Sequence, residues 1–125
     1  MLRFPWVSRL LFVASGVCAC GDEGTGPGVA PPSSLSIDVG NDYFRSVRNG
    51  SMEPAFDTVA VNGTITWTWV QDGEHGVEFQ DQSLPVSAVM SAVGSQHSVT
   101  FPARGSFEYF CQVHGPQMAG LIVVR

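Results

Sequence analysis

Tyr109-Phe110-Cys111-Gln112-Val113-His114-Gly115-Pro116-Gln117-Met118-Ala119-Gly120 holds a thiol, an imidazole and a thioether within eight residues, Cys111 to Met118. Two β-forming runs flank it. Ser106 to Cys111 leads in, and Leu121-Ile122-Val123-Val124 leads out. Aromatic and β-branched residues of this kind suit a pleated, half-buried surface. The stretch therefore predicts the last two strands of a β fold, joined by a loop that carries Cys111, His114 and Met118.

The same pattern extends upstream. Leu35 to Val39 alternates apolar and polar residues and stops at Gly40-Asn41-Asp42, and Tyr43 to Val47 can pair beside it. Thr58 to Val61 runs into Asn62-Gly63, a strong turn signal. Thr64 to Val70 alternates strictly, with Ile65, Trp67 and Trp69 on one face and Thr64, Thr66 and Thr68 on the other. Gly76 to Gln80 sets Val77 and Phe79 on one face, and Ser98 to Phe101 alternates again. Between Asp81 and Gly94, Pro85 argues against a central strand, and Val86 to Val93 reads equally as a strand or one helical turn. No amphipathic helix longer than about two turns appears after Ser34. About seven or eight short strands and no repeat predict an all-β antiparallel sandwich or barrel. Phe56, Trp67, Trp69, Phe79, Phe101 and Phe107 are its expected large core residues.

The N-terminus reads differently. Arg3 and Arg9 precede an apolar run from Leu10 that is too short to span a bilayer. Residues 1–19 are expected to be an export signal. Val17-Cys18-Ala19-Cys20 resembles a lipobox, which makes Cys20 the expected lipidated residue. Gly21 after it favours the outer membrane where there are two. Residues 20–33 are Gly/Pro-rich and predict a disordered tether, leaving 34–125 as the folded domain. The expected location is the periplasmic face of the envelope, with the lipid as the only membrane contact.

The whole chain has 125 residues and a formal charge of −5. Loss of residues 1–19 removes two Arg, leaving four Arg against 11 acids, a charge of −7. Nucleic acid is not a fitting partner for such a surface. A protein partner with a basic surface is, through long-range steering. Composition gives no sign of oligomerisation, so a monomer is expected.

The cysteines bear on the site. With Cys20 lipidated, Cys111 is the one thiol of the folded domain. A lone thiol in an oxidising compartment calls for an occupant, and a metal would be one. His75, in Glu74-His75-Gly76-Val77-Glu78-Phe79, offers a second imidazole. His75, Cys111 and His114 with a weak axial Met118 form the His2Cys donor set of a blue-copper centre. Other readings of these residues are an inert buried Cys111, a Cys/His nucleophile lacking any third orienting group, a zinc site to which a thioether adds little, and Met118 as core packing. His97 has no partner at ligand spacing and reads as a strand-edge residue.

Taken together, these motifs resemble those of the cupredoxins, the plastocyanin–azurin–amicyanin family. His75-Gly76-Val77-Glu78-Phe79 is similar to the family's His-Asn-Val-x-Phe. Gly105 to Cys111 is similar to its Gly-x-Tyr-x-Tyr-x-Cys strand. Cys111-x2-His114-x3-Met118-x-Gly120 is similar to its ligand loop, and Asn62 to Trp67 to the strand before the first ligand. Trp69 stands where the family often has Asn, Gly76 replaces the Asn after the first His, and Gln117 lies beside Met118 as a substitute axial donor. The resemblance implies a Greek-key cupredoxin sandwich holding one type 1 copper per chain through His75, Cys111, His114 and Met118. It implies one-electron transfer rather than catalysis, with a redox protein such as a c-type cytochrome or an oxidoreductase as partner. A copper carrier or buffer is the alternative, although Met-rich and His-rich shuttling tracts are absent. From Gln112 to Val124 no residue is charged, so the loop around His114 is expected to be an apolar docking face with His114 as electron port.

Overall fold

The computed structural model describes residues 28–125. The export signal, Cys20 and the first part of the tether lie outside them. Eight strands follow in order: β1 (Ser34–Gly40), β2 (Tyr43–Ser46), β3 (Ala55–Val59), β4 (Gly63–Trp69), β5 (Val77–Phe79), β6 (Gln96–Phe101), β7 (Gly105–Cys111) and β8 (Gly115–Val124). They form two four-stranded sheets, β2-β1-β4-β6 and β3-β8-β7-β5, so the all-β sandwich is as expected. Among the described residues no helix is long and apolar enough to cross a membrane.

β4 shows why the sandwich forms. Gly63, Ile65, Trp67 and Trp69 are buried, and the threonines between them are half-buried on the outer face. There Thr64 meets Thr100 and Thr66 meets Ser98, each pair of hydroxyls 2.8 Å apart. These cross-strand pairs pin the β4–β6 register. On the inner face Trp67 meets Tyr109 and Phe79 edge-on, at 5.2 and 5.8 Å between ring centres. Phe44 packs against Tyr109 at 5.0 Å, and Phe101 against Phe79 at 5.8 Å. Each such buried side chain contributes about 1.5–3 kcal/mol. Tyr109 fits only because Gly120 has no side chain, since a Cβ there would run into the phenol ring.

Several expectations are corrected. The sheets are mixed, not purely antiparallel: β1 runs parallel to β4, and β3 parallel to β8. The chain passes from one sheet to the other between β2 and β3 and back before β4, and such crossovers set strands side by side in the same direction. Phe56 is 45% exposed rather than in the core. The two-residue period of β3 turns Ala55, Asp57 and Val59 inward instead. Buried Asp57 accepts a 2.7 Å hydrogen bond from Ser46, and burial raises its pKa. Phe44 and Tyr109 take large core positions. The folded domain also starts before residue 34: the carbonyls of Pro32 and Ser33 accept hydrogen bonds from Ala60 and Thr64, both 2.9 Å.

The stretch from Asp81 to Ser95 forms no regular strand or helix and runs as a strap. It is tied to both sheets. Met90 and His75 exchange backbone bonds of 2.9 and 3.0 Å, Ser87 N–H donates to the Val77 carbonyl at 3.0 Å, and Gly94 N–H donates to the Trp69 carbonyl at 2.8 Å. The strap thus covers the free edge of β5 and satisfies its backbone groups.

Candidate metal centre

Three chain segments meet at one end of the sandwich. His75 lies in the connection after β4, just before β5. Cys111 closes β7, and His114 follows in the three-residue turn to β8. Cys111 and His75 are buried, and the His114 side chain is 36% exposed. The Cys111 sulfur lies 3.8 Å from His75 Nδ1 and 3.6 Å from His114 Nδ1. All three donor atoms fall within 4.8 Å of one another.

These separations fit one shared metal ion. Bonds of about 2.0–2.3 Å from a metal to imidazole and thiolate, meeting near 120°, place sulfur and nitrogen about 3.8 Å apart. The two rings lie 4.9 Å apart at 36°, with the same nitrogen of each turned toward the thiol. Burial lowers the pKa of His75, and nearby His114 adds to that effect while Asp42 opposes it. The neutral imidazole that results is the form that binds metal.

Local sequence explains each placement. His75 is fixed by its backbone pairing with Met90. The Met90 carbonyl also accepts the indole N–H of Trp69 at 2.8 Å. Trp69 thus supports the first imidazole through the strap, at a position where the resemblance suggests Asn. On the other side, Gln112 N–H donates to the Gly76 carbonyl at 3.3 Å and the Gln112 side chain donates to the Ser87 carbonyl at 2.8 Å. The absence of a side chain at Gly76 leaves room for Gln112, since a Cβ would come within 2.7 Å of the Gln112 amide nitrogen and push that side chain aside. Gln112 ties the Cys111–His114 turn to both the His75 segment and the strap.

Met118 lies in an irregular part of the ladder rather than in a loop. Cys111 pairs with Gly115 but Phe110 pairs with Ala119, so Pro116, Gln117 and Met118 bulge from β8. Met118 is buried and Gln117 is exposed, lining a groove on the outer face of the sheet with Glu53, Glu108 and Pro116. Only Met118 faces the interior, which favours it over Gln117 as an axial donor. His97 lies in β6 with its ring 6.1 Å from that of Trp67, and is not among the converging donors.

One contact was not foreseen. Asp42, from the β1–β2 turn, lies 3.1 Å from His114 Nε2. A shallow depression at this end is lined by Asn41, Asp42, Gly73, Glu74, His75, Val113 and His114. The expected uncharged face is therefore acidic on one side, because two other loops bring carboxylates to it.

The family model for "Copper binding proteins, plastocyanin/azurin family" matches residues 43–125. The chain belongs to this family. Copper is accordingly the metal that this donor set is built for. Among similar proteins, chloroplastic plastocyanin of Tetradesmus obliquus is 26% identical over 83 residues, covering 58% of this chain and 57% of its own length. Plastocyanin of Scenedesmus fuscus is 29% identical over 83 residues, covering 58% of this chain and 85% of its own length. Among solved structures, an oxidised amicyanin variant superposes with a TM-score of 0.58 at 22% identity, covering 81% of this chain and 97% of that one. Amicyanin of Paracoccus versutus gives 0.54 at 19% identity, covering 80% and 85%. At these identities the structural likeness supports the cupredoxin fold alone.

Proposed function

We propose that this protein carries single electrons between redox proteins of the cell envelope, using one type 1 copper. The observation that carries the reading is the convergence of two imidazole nitrogens from separate segments on one buried cysteine sulfur, with a single imidazole edge reaching solvent. His75, Cys111 and His114 would hold the copper, with buried Met118 as the weaker fourth donor. When bound, copper supplies a one-electron couple. The residues do the rest. The β7–β8 ladder holds Cys111, the backbone bridge to Met90 holds His75, and Gln112 braces the turn that carries His114, which limits rearrangement between oxidation states. Burial of Cys111 and Met118 keeps water from the thiolate. His114 offers the short route to a docked partner.

Filled donor positions leave no place for a substrate, so the protein is read as a carrier and not an enzyme. The proposed partner is a c-type cytochrome or an oxidoreductase with a basic docking surface, in keeping with the net acidity of the chain. Export through residues 1–19, lipid on Cys20 and a tether beyond it would hold a monomeric domain near the membrane within reach of such partners. Gly21 points to the outer membrane where there are two.

The test is the visible spectrum of the full chain titrated with Cu(II), beside Cys111→Ser. The expected result is an intense blue band saturating at one copper per chain and missing from the variant. A colourless but folded product would sink the proposal. A blue protein that gives up Cu(I) rapidly to a chelator and shows no reversible couple would be a copper carrier instead.

A further inference from the structure

We propose that Asp42 is a positioning residue for the copper centre, resting on the copper reading above. Its carboxylate holds the outward nitrogen of His114, and so sets the ring's tautomer, its orientation and the site's preference for Cu(II). The geometry is direct. Asp42 Oδ1 lies 3.1 Å from His114 Nε2, while Nδ1 of the same ring lies 3.6 Å from the Cys111 sulfur. A carboxylate can only accept a hydrogen bond, and a neutral imidazole has one proton to give. In the neutral ring Asp42 therefore keeps that proton on Nε2 and leaves the Nδ1 lone pair on the side of the Cys111 sulfur, where a metal would bind. A carboxylate behind a metal-bound imidazole makes it a better donor.

The β1–β2 turn is built to present this group. Asp42 has a φ of 62°, in the left-handed region that Asp tolerates better than most residues. The preceding Asn41 donates its N–H to the side chain of Gln71 at 2.8 Å, which docks the turn on the segment leading to His75. The Asp42 side chain is 80% exposed, so burial does not explain its place. The other imidazole has no such support, since His75 Nε2 is buried without a hydrogen-bond partner. One imidazole of the pair is thus tuned from the surface. A fixed negative charge beside it stabilises the more positive metal state and lowers the reduction potential.

The experiment compares the full-length wild type with Asp42→Ala, Asp42→Asn and Glu74→Gln. Glu74 lines the same depression and controls for loss of a nearby charge. Copper affinities in both oxidation states, the reduction midpoint, and solvent exchange of the His114 Nε2 proton by NMR of the Cu(I) form are measured. In Asp42→Ala the ratio of Cu(II) to Cu(I) binding constants is expected to fall about tenfold. A one-electron couple reads that as a midpoint about 59 mV higher. The His114 proton exchanges faster in Asp42→Ala. Asp42→Asn, which keeps an acceptor oxygen without charge, falls between, and Glu74→Gln shifts least. A blue Asp42→Ala with the wild-type midpoint overturns the inference, as does a shift no larger than that of Glu74→Gln. A wild type with no blue band overturns the copper reading itself, and this inference with it.

Discussion

His75 and His114 face the same sulfur from unlike surroundings. His75 is buried, paired through its backbone with Met90, and backed by the indole of Trp69. His114 sits in a short turn with one edge in water, held by Gln112 beneath and Asp42 outside. The first arm is rigid because it belongs to the core. The second is adjustable, because few buried contacts fix it. A carrier of electrons needs both: a metal geometry that hardly moves, and a donor that a partner can touch. The strap supplies the first, and the turn supplies the second.

The largest effect is expected where the rigid arm meets the core. Trp69→Ala removes a fully buried side chain and should cost about 3–5 kcal/mol. It also frees the Met90 carbonyl that anchors His75. Chemical unfolding of the metal-free protein is the measurement, with copper retention alongside. Val113→Ala on the exposed turn is the counterpart, expected within about 0.5 kcal/mol of wild type. Similar losses in the two variants would erase the distinction between the arms.

A smaller effect sharpens it through pH. The His97 ring nitrogen meets the Pro85 carbonyl at 3.3 Å, joining β6 to the strap. Burial lowers its pKa, and the Pro85 contact opposes that only in part. The folded state therefore binds the proton less readily than the unfolded chain. As pH falls below the ordinary histidine value of about 6.5, the unfolded state gains protons first and stability drops. His97→Gln should flatten part of this slope, and the buried His75 should account for some of the rest. Unfolding midpoints of the metal-free chain between neutral and mildly acidic pH would show it. Parallel slopes in the two proteins would mean that His97 binds its proton equally well in the folded and unfolded chain.

Much of this was legible in the residues. The strict alternation of Thr64 to Val70 dictates one buried and one open face whatever lies beside it. Cys111 and His114, three apart at a strand end, have to share a turn. What stayed hidden depends on partners distant in sequence. Parallel pairing leaves the alternation of β1 and β4 unchanged, so no pattern could reveal it. Asp57 turned inward and Phe56 outward because the strand's period fixed both together, and Ser46 offered the carboxylate a hydrogen bond. The strap has no period at all, since its hydrogen bonds go to Val77, His75 and Trp69 rather than to a regular neighbour. Asp42 reaches His114 across 72 positions of chain, and only the fold brings the two together.

That last contact changes what the proposed docking face should do. Around His114, the turn side offers exposed Val113 and Pro116, and the β1–β2 side offers Asp42. The Asp42 carboxylate against the His114 ring gives a partner a direction in which to orient. Pro116→Glu would place acid on both sides of the electron port. It lies at the exposed bulge, so the copper spectrum should stay as it is. Two copies exchanging electrons through this face would then meet like charge on either side. At an exposed contact the penalty is about 1 kcal/mol, a few-fold in rate. It should shrink as salt rises, because exposed charges are screened. Electron self-exchange followed by NMR line broadening at low and high ionic strength measures this without a known partner. A rate that matches wild type at low salt would show that electrons leave elsewhere, and that the adjustable arm is not the port.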